Sequence, residues 1–184
     1  IGIQIHGGMG FIEETGASQH LRDSRITPIY EGTNGVQAAD LVGRKMGTRS
    51  GQSFLEYIAS LREVLPALQA AGGQLAAVGT KVGASVDLLE QVTGWMLKPG
   101  AGGDAASVLA GSVAYLDLWG HVLGGWLLAK SALAADGLGD ADDAAEQLAV
   151  ARFYASQLLP KTTSLAAQAT AGADDVFSLA LAQL

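Results

Sequence analysis

The sequence predicts an all-α protein organised as a helical bundle, and three observations lead to this fold class. Alanine, leucine and glutamine are abundant, whereas the alternating runs of β-branched residues typical of strands are absent. Apolar residues recur at helical spacing over long segments, and glycine or proline stands between these segments, where helices tend to end. Because the chain has 184 residues, 49% of them hydrophobic, it is long enough to bury a core.

The first 46 residues are expected to form short helices. Residues 1–6 would end one helix, and the glycine-rich residues 7–11 would form a turn, since glycine adopts backbone angles that other residues avoid. A second helix is predicted over residues 15–27. It should end before Pro28, because a proline disfavours helical backbone in the residue that precedes it. Thr33 is a suitable N-cap for a third helix over residues 34–46.

Beyond a linker at residues 47–52, the composition shifts towards alanine and leucine. We therefore expect two domains, residues 1–46 and an additional helical domain of residues 47–184. The long helices and glycine-rich turns of the second region predict an up-down bundle. Its expected elements are helices over 54–71 with a kink at Pro66, 75–97, 104–135 capped by Asp104, 142–159 ended by Pro160, and 161–172, followed by a terminal turn.

Charge and cysteine content exclude several classes of function. The net charge of −7 gives no general attraction to nucleic acid or to anionic lipid. The absence of cysteine excludes disulfides and thiolate catalysis, and it fits a cytoplasmic location. The most apolar stretch, residues 111–130, carries Asp117 and His121 near its middle, so we interpret it as a buried bundle helix and not as a membrane span.

The sequence lacks motifs for metal-dependent, serine-dependent and dinucleotide-dependent catalysis. His6, His20 and His121 lie far apart and lack a metal-ligand spacing, so no metal site is predicted. No Gly-x-Ser-x-Gly motif is present, and the glycine-rich residues near the start do not follow a strand, which argues against dinucleotide binding of the Rossmann type. Composition and spacing alone therefore predict only a helical domain.

A more specific signal extends over residues 4–37, QIHGGMGFIEETGASQHLRDSRITPIYEGTNGVQ. A Gln-x-x-Gly-Gly element is followed by an Arg-Asp pair at Arg22 and then by Tyr-Glu-Gly-Thr around Glu31. The order and spacing of these elements resemble, without a gap, the C-terminal helical domain of the acyl-CoA dehydrogenases. Arg22 and Asp23 match a pair in that family that we interpret as structural, with a catalytic role as the alternative.

The resemblance implies an FAD-dependent enzyme in which Glu31 is the base that removes the α-proton of an acyl-CoA thioester. The flavin accepts the β-hydride, and the product is a trans-2-enoyl-CoA. Because burial makes a carboxylate a stronger base, we expect Glu31 to lie in a pocket beside Ile29 and Tyr30. The backbone N–H of Glu31 would donate a hydrogen bond to the developing enolate oxygen.

Neighbouring residues acquire roles from the same resemblance. Gly32 and Tyr30 match positions that contact the substrate. The residues that match the FAD-contacting segments of the family are Gln4, Ile5, His6, Gly7 and Gly8 in the first segment and Thr33, Asn34 and Gly35 in the second.

Two departures from simpler family members change the expectation. The N-terminal helical domain and the middle β domain are absent, so we expect a C-terminal piece that works with these domains. About 138 residues follow Met46, as in the longer bacterial members, which include the 3-methylmercaptopropionyl-CoA dehydrogenases. By resemblance, the partners are an acyl-CoA, an electron-transferring flavoprotein and further copies in a homodimer or homotetramer.

Several alternatives remain open from the sequence. The chain could be a non-catalytic helical assembly module of a split enzyme, or part of an acyl-CoA oxidase, which uses the same base position and passes electrons to oxygen. Trp95, Trp119 and Trp126 are interpreted as core residues, with a dimer face as the alternative.

Overall fold

Helices form the secondary structure of this chain throughout the residues that the structure describes. The structure is a computed structural model that describes residues 1–98, 104–138, 141–176 and 178. Within these ranges no strand occurs, which confirms the all-α prediction. The predicted helix end at residue 97 is confirmed, because the observed helix spans Gly73–Leu97. Most of the predicted terminal turn at 173–184 lies outside the described residues.

The chain divides into two compact units, Ile1–Gln37 and Ala38–Leu184. The predicted division into domains 1–46 and 47–184 stays a prediction, because compactness alone does not define a domain. The first unit contains α1 (Gly2–Ile5), α2 (Gly8–Phe11), a 3-10 turn (Glu13–Thr15) and α3 (Ala17–Arg25), and it includes the beginning of α4 (Asn34–Asp40).

The turn predicted at residues 7–11 is wrong, because a second helical turn forms there. Gly7 adopts a φ of 60°, which reverses the helical path after α1, and the chain then resumes helical geometry in α2. Gly16 likewise has a φ of 75°, so α3 begins after it and not at Thr15. The predicted end of α3 before Pro28 is confirmed, since the last helical residue is Arg25.

The second unit is a bundle in which α7 and α9 pack against each other and against most of the remaining helices. A π-helical segment (Leu41–Lys45) follows α4. At the predicted linker, residues Thr48–Gly51 form a turn in which Arg49 and Ser50 have left-handed backbone angles, with φ of 51° and 55°. The other helices of this unit are α5 (Gln52–Leu61), α6 (Leu65–Ala71), α7 (Gly73–Leu97), α8 (Ala105–Ala110), α9 (Ser112–Leu138), α10 (Ala141–Gln157) and α11 (Lys161–Ala169).

Two helix ends in this unit follow from local chemistry. The kink predicted at Pro66 is confirmed, because a 3-10 turn (Arg62–Val64) separates α5 from α6 and the proline stands in the first turn of α6, where no N–H is needed. Asp104 caps α8 as predicted, since its carboxylate accepts hydrogen bonds from Ala106 N at 2.7 Å and Ser107 N at 3.3 Å.

The predicted single helix over 104–135 is interrupted at Gly111, which separates α8 from α9. A Cβ at this position would collide with the backbone carbonyl of Ala169 at the end of α11. The close approach of the two backbones therefore requires glycine. Sequence patterns do not predict this requirement, because the contact involves another helix.

The core of the second unit is apolar, and the three tryptophans pack in or against it, as predicted. Trp119 is 8% exposed, Trp95 and Trp126 are half-buried against the core, and Trp126 Nε1 donates a hydrogen bond to Leu61 O at 3.0 Å. Side chains with no exposed surface include Ile58, Leu61, Leu68, Val82, Val86, Leu89, Tyr115, Leu118 and Val122. The tryptophans thus pack as core residues.

Two absences within the described residues bear on function. None of the helices in these ranges combines the length and apolarity that crossing a membrane requires. Over the same ranges, no group of three or more histidine, cysteine, aspartate or glutamate side chains is arranged to hold a metal ion.

Candidate active site

Glu31 lies on the connection between α3 and α4, within the first compact unit. The chain leaves α3 through a turn in which Ile29 N and Tyr30 N both donate to Ile26 O, at 3.0 and 3.1 Å. Glu31 then has a φ of 58° and Gly32 a φ of 100°. Two successive residues in the left-handed region reverse the chain sharply just before α4.

The left-handed backbone of Glu31 is an unusual feature of the turn. A non-glycine residue with this φ costs about 1–2 kcal/mol, so surrounding contacts must hold it. The side chain of Gln37 provides one such contact, because its Nε2 donates a hydrogen bond to Glu31 O at 2.5 Å. The sequence offered no signal for this role of Gln37, which depends on the turn bringing residues 31 and 37 together.

Gly32 is required by the geometry of the same turn. Its φ of 100° is one that residues with a side chain rarely adopt, and an added Cβ would lie 3.1 Å from Val36 Cγ1. The next residue, Thr33, caps α4 as predicted: Thr33 O accepts from Gln37 N at 2.9 Å, and Thr33 Oγ1 accepts weakly from Val36 N at 3.4 Å.

Both polar groups of Glu31 that could serve chemistry are free. Within the described part of the chain, neither its carboxylate nor its backbone N–H has a hydrogen-bond or ion-pair partner. A free carboxylate can accept a proton, and a free N–H can donate to an oxygen that gains negative charge. One residue therefore offers a base and a hydrogen-bond donor side by side.

The expectation that Glu31 is enclosed beside apolar residues is not met by this chain. The Glu31 side chain is exposed, and the flanking Ile29 and Tyr30 are each 54% exposed. The physical reason is size: a unit of 37 residues is too small to surround a turn on its surface.

Exposed apolar side chains are frequent in this unit. Gly10 and Ser18 are the only buried residues in its first three helices. A surface of this kind is typical of a segment that packs against further protein. The large apolar side chains exposed here are Ile1, Ile5, Met9, Phe11, Leu21, Ile26, Ile29, Tyr30 and Val36.

The predicted FAD-contacting segment, Gln4–Gly8, lies at the end of α1 and the start of α2 and is exposed throughout. His6 Nδ1 donates to Gly2 O at 2.9 Å, which orients the ring along α1. A Cβ built on Gly7 or Gly8 would meet no atom within 4 Å, so this backbone is open to an approaching planar group. Thr33, Asn34 and Gly35 are exposed as well, at the start of α4.

Arg22 and Asp23 take part in a hydrogen-bond network on the surface of α3. Gln19 Nε2 donates to Asp23 Oδ1 at 2.8 Å, and Arg22 donates to Gln19 Oε1 at 3.1 Å. Arg22 also lies 3.5 Å from the carboxylate of Glu13. These contacts join α3 to the preceding 3-10 turn, as a structural pair would.

Comparison with known proteins gives two family matches that together span most of the chain. The model described as "Acyl-CoA dehydrogenase, C-terminal domain" matches residues 1–46, and the one described as "Acetyl-CoA dehydrogenase C-terminal like" matches residues 50–180.

Curated relatives agree with these matches. The chain is 39% identical, over 98% of its residues, to 3-methylmercaptopropionyl-CoA dehydrogenase of Ruegeria pomeroyi. It is 30% identical, over 88%, to the broad-specificity linear acyl-CoA dehydrogenase FadE5 of Mycobacterium tuberculosis. The human mitochondrial short-chain specific acyl-CoA dehydrogenase is 54% identical over 22% of the chain. The chain spans 31%, 28% and 10%, respectively, of the length of these relatives.

Proposed function

The chain belongs to the acyl-CoA dehydrogenase family, and we propose that it forms part of an FAD-dependent enzyme in which Glu31 removes the α-proton of an acyl-CoA thioester. The observation that carries the proposal is the turn at Glu31 and Gly32. In this turn one residue, Glu31, carries both an unpartnered carboxylate and an unpartnered N–H. The residue next to it must be glycine, because its φ of 100° is one that other residues rarely adopt.

In the proposed reaction, the Glu31 carboxylate accepts the proton from the carbon next to the thioester carbonyl. The Glu31 N–H donates to the carbonyl oxygen as that oxygen gains negative charge, which lowers the barrier to proton removal. Because Gly32 has no side chain, the thioester can approach the backbone closely enough for this hydrogen bond. Tyr30 would line the space for the acyl chain. The product would be a trans-2-enoyl-CoA.

The residues of the first unit fit a role in which they supply part of the contacts to FAD. When bound, FAD supplies the acceptor for the hydride from the β-carbon. The open backbone at Gly7 and Gly8 leaves room for a planar group. In this proposal the residues that contact FAD are Gln4, Ile5, His6, Gly7 and Gly8, together with Thr33, Asn34 and Gly35. Other contacts would come from the N-terminal and middle domains.

The exposed apolar surface of the first unit supports the same assembly. Packing of the N-terminal and middle domains against residues such as Ile29 and Tyr30 would remove water from around Glu31, and a desolvated carboxylate is a stronger base. We further propose a homodimer or homotetramer and an electron-transferring flavoprotein as the electron acceptor.

The test is the substitution Glu31→Gln in the complete enzyme. Glutamine keeps the size of the side chain and the backbone N–H but does not accept the proton. Because a positioned general base contributes about 100- to 10,000-fold, we expect acyl-CoA-dependent dye reduction to fall by a factor in this range while the flavin absorbance of the purified protein is unchanged.

Glu14→Gln is the matched control, because Glu14 is also exposed in the first unit and is assigned no role. It should leave turnover unchanged. Activity of Glu31→Gln within a few fold of the unmodified enzyme would refute the assignment of the base. Absence of flavin from the assembled protein would favour the non-catalytic module, and rapid oxidation of the reduced flavin by oxygen would favour an oxidase.

A further inference from the structure

A shallow pocket of about 250 Å³ lies between α7 and α10 in the second unit. Its floor is apolar and well packed, since Val78 and Ala155 are 2% and 3% exposed. Its rim is polar and exposed. The lining residues are Gln74, Ala77, Val78, Lys81, Arg152, Ala155 and Ser156.

The pocket concentrates positive charge in an acidic protein. Lys81 and Arg152 both line it, no carboxylate does, and the chain as a whole carries a net charge of −7. Two cations that share a pocket repel each other, so an anion between them is favourable.

The bonding of these two cations leaves their charge uncompensated. Lys81 Nζ donates to the hydroxyl of Ser156 at 3.0 Å, which orients the ammonium group across the two helices. Within the residues that the structure describes, Arg152 has no hydrogen-bond or ion-pair partner. By contrast, Arg49 and Arg62 elsewhere in this unit each pair with a carboxylate, at 2.8 and 2.7 Å.

We propose that this pocket binds the phosphoryl group of a small molecule. A phosphoryl group presents several oxygens, which match the planar fork of Arg152, the ammonium of Lys81 and the amide of Gln74. These donors come from two helices, so they would surround the group from different sides. The small side chains of Ala77 and Ala155 leave the floor open. The site lies within the second unit and is independent of the role proposed for Glu31.

The experiment is a titration of the 184-residue chain with inorganic phosphate, followed by amide chemical shifts at constant ionic strength. We expect saturable shifts at residues around Lys81, Arg152 and Ser156. Because a charge-assisted hydrogen bond contributes more than a neutral one, Arg152→Gln and Lys81→Gln should each weaken phosphate binding by about tenfold or more. Both side chains are exposed, so neither substitution disturbs the core.

Lys161→Gln is the matched control, because it removes the same charge from an exposed residue outside the pocket. It should leave phosphate binding unchanged. The proposal is overturned if chloride produces the same shifts as phosphate, or if Lys161→Gln weakens binding as much as Arg152→Gln. Saturable binding of a glutamate-rich peptide without binding of phosphate would also overturn it, in favour of an acidic protein partner.

Discussion

A buried pair of hydroxyl groups joins α7 to α9 and permits a quantitative prediction. Thr93 and Tyr115 have no exposed surface, and their hydroxyl oxygens lie 2.7 Å apart. Thr93 Oγ1 also donates to Leu89 O at 2.7 Å. Because a hydroxyl carries one hydrogen, Thr93 uses its own on Leu89, and Tyr115 must donate to Thr93.

This assignment makes the two single substitutions unequal. Thr93→Val removes the acceptor and leaves the Tyr115 hydroxyl buried without a partner, which costs about 1–3 kcal/mol of unfolding free energy. Tyr115→Phe removes only the donor, while Thr93 still donates to Leu89, so the expected cost is about 0.5–1.5 kcal/mol. The double variant should be destabilised by less than the sum of the two.

The same pair predicts a dependence of stability on alkaline pH. Burial raises the pKa of Tyr115 from 10.0 to about 12, and the hydrogen bond with Thr93 opposes part of this rise. The folded-state pKa of Tyr115 lies above its unfolded value. The free energy of unfolding that the neutral hydroxyl contributes is therefore complete below pH 10 and is lost as pH rises from 10 towards 12. It amounts to about 3 kcal/mol across this window, and Tyr115→Phe should abolish it.

Urea denaturation followed by circular dichroism measures these differences in unfolding free energy. The comparison requires that the unfolding free energy falls with urea concentration at the same slope in all variants. Tyr57→Phe is the control, because Tyr57 is 49% exposed and its hydroxyl forms no hydrogen bond within the described residues. If Tyr115→Phe costs as much as Thr93→Val, or if the double variant is strictly additive, the assigned direction of the hydrogen bond is wrong.

Two further predictions concern helix ends and helix packing. Gly111→Ala should destabilise the protein by about 1–3 kcal/mol, because its Cβ would collide with backbone at the end of α11. Gly120 lies in an exposed part of α9 and an added Cβ would meet no atom within 4 Å, so Gly120→Ala should stabilise the protein by about 0.5–1 kcal/mol. Equal melting temperatures for these variants would contradict the packing argument. Hydrogen bonds from the Ser107 hydroxyl and a backbone N–H hold the pKa of Asp104 below its usual 3.8, so the stability from this cap is present above that value and is lost as pH falls below it. Asp104→Asn should flatten the fall of the melting temperature in acid, and an unchanged slope would show that the cap does not contribute to it.

Local patterns were sufficient for much of the fold and for the family. Helix caps at Thr33 and Asp104, and the kink before Pro66, follow from side chains within a few residues of the helix end, so the sequence predicts them. The spacing of residues 4–37 likewise identified the acyl-CoA dehydrogenase family, which the family matches confirm. The roles of Glu31 and its neighbours stay predictions, since the comparisons do not test individual residues.

Tertiary packing decided features that no local pattern carries. The need for glycine at position 111 depends on α11, and the hydrogen bond between Thr93 and Tyr115 joins residues 22 positions apart. The pocket of Lys81 and Arg152 exists only where α7 meets α10. Apart from the helical turn at residues 8–11 and the interruption at Gly111, the sequence by itself determined which segments are helical and which family they belong to, because caps, breakers and motifs act over short distances. Which side chains meet was decided by the packing of helices that are distant in the chain.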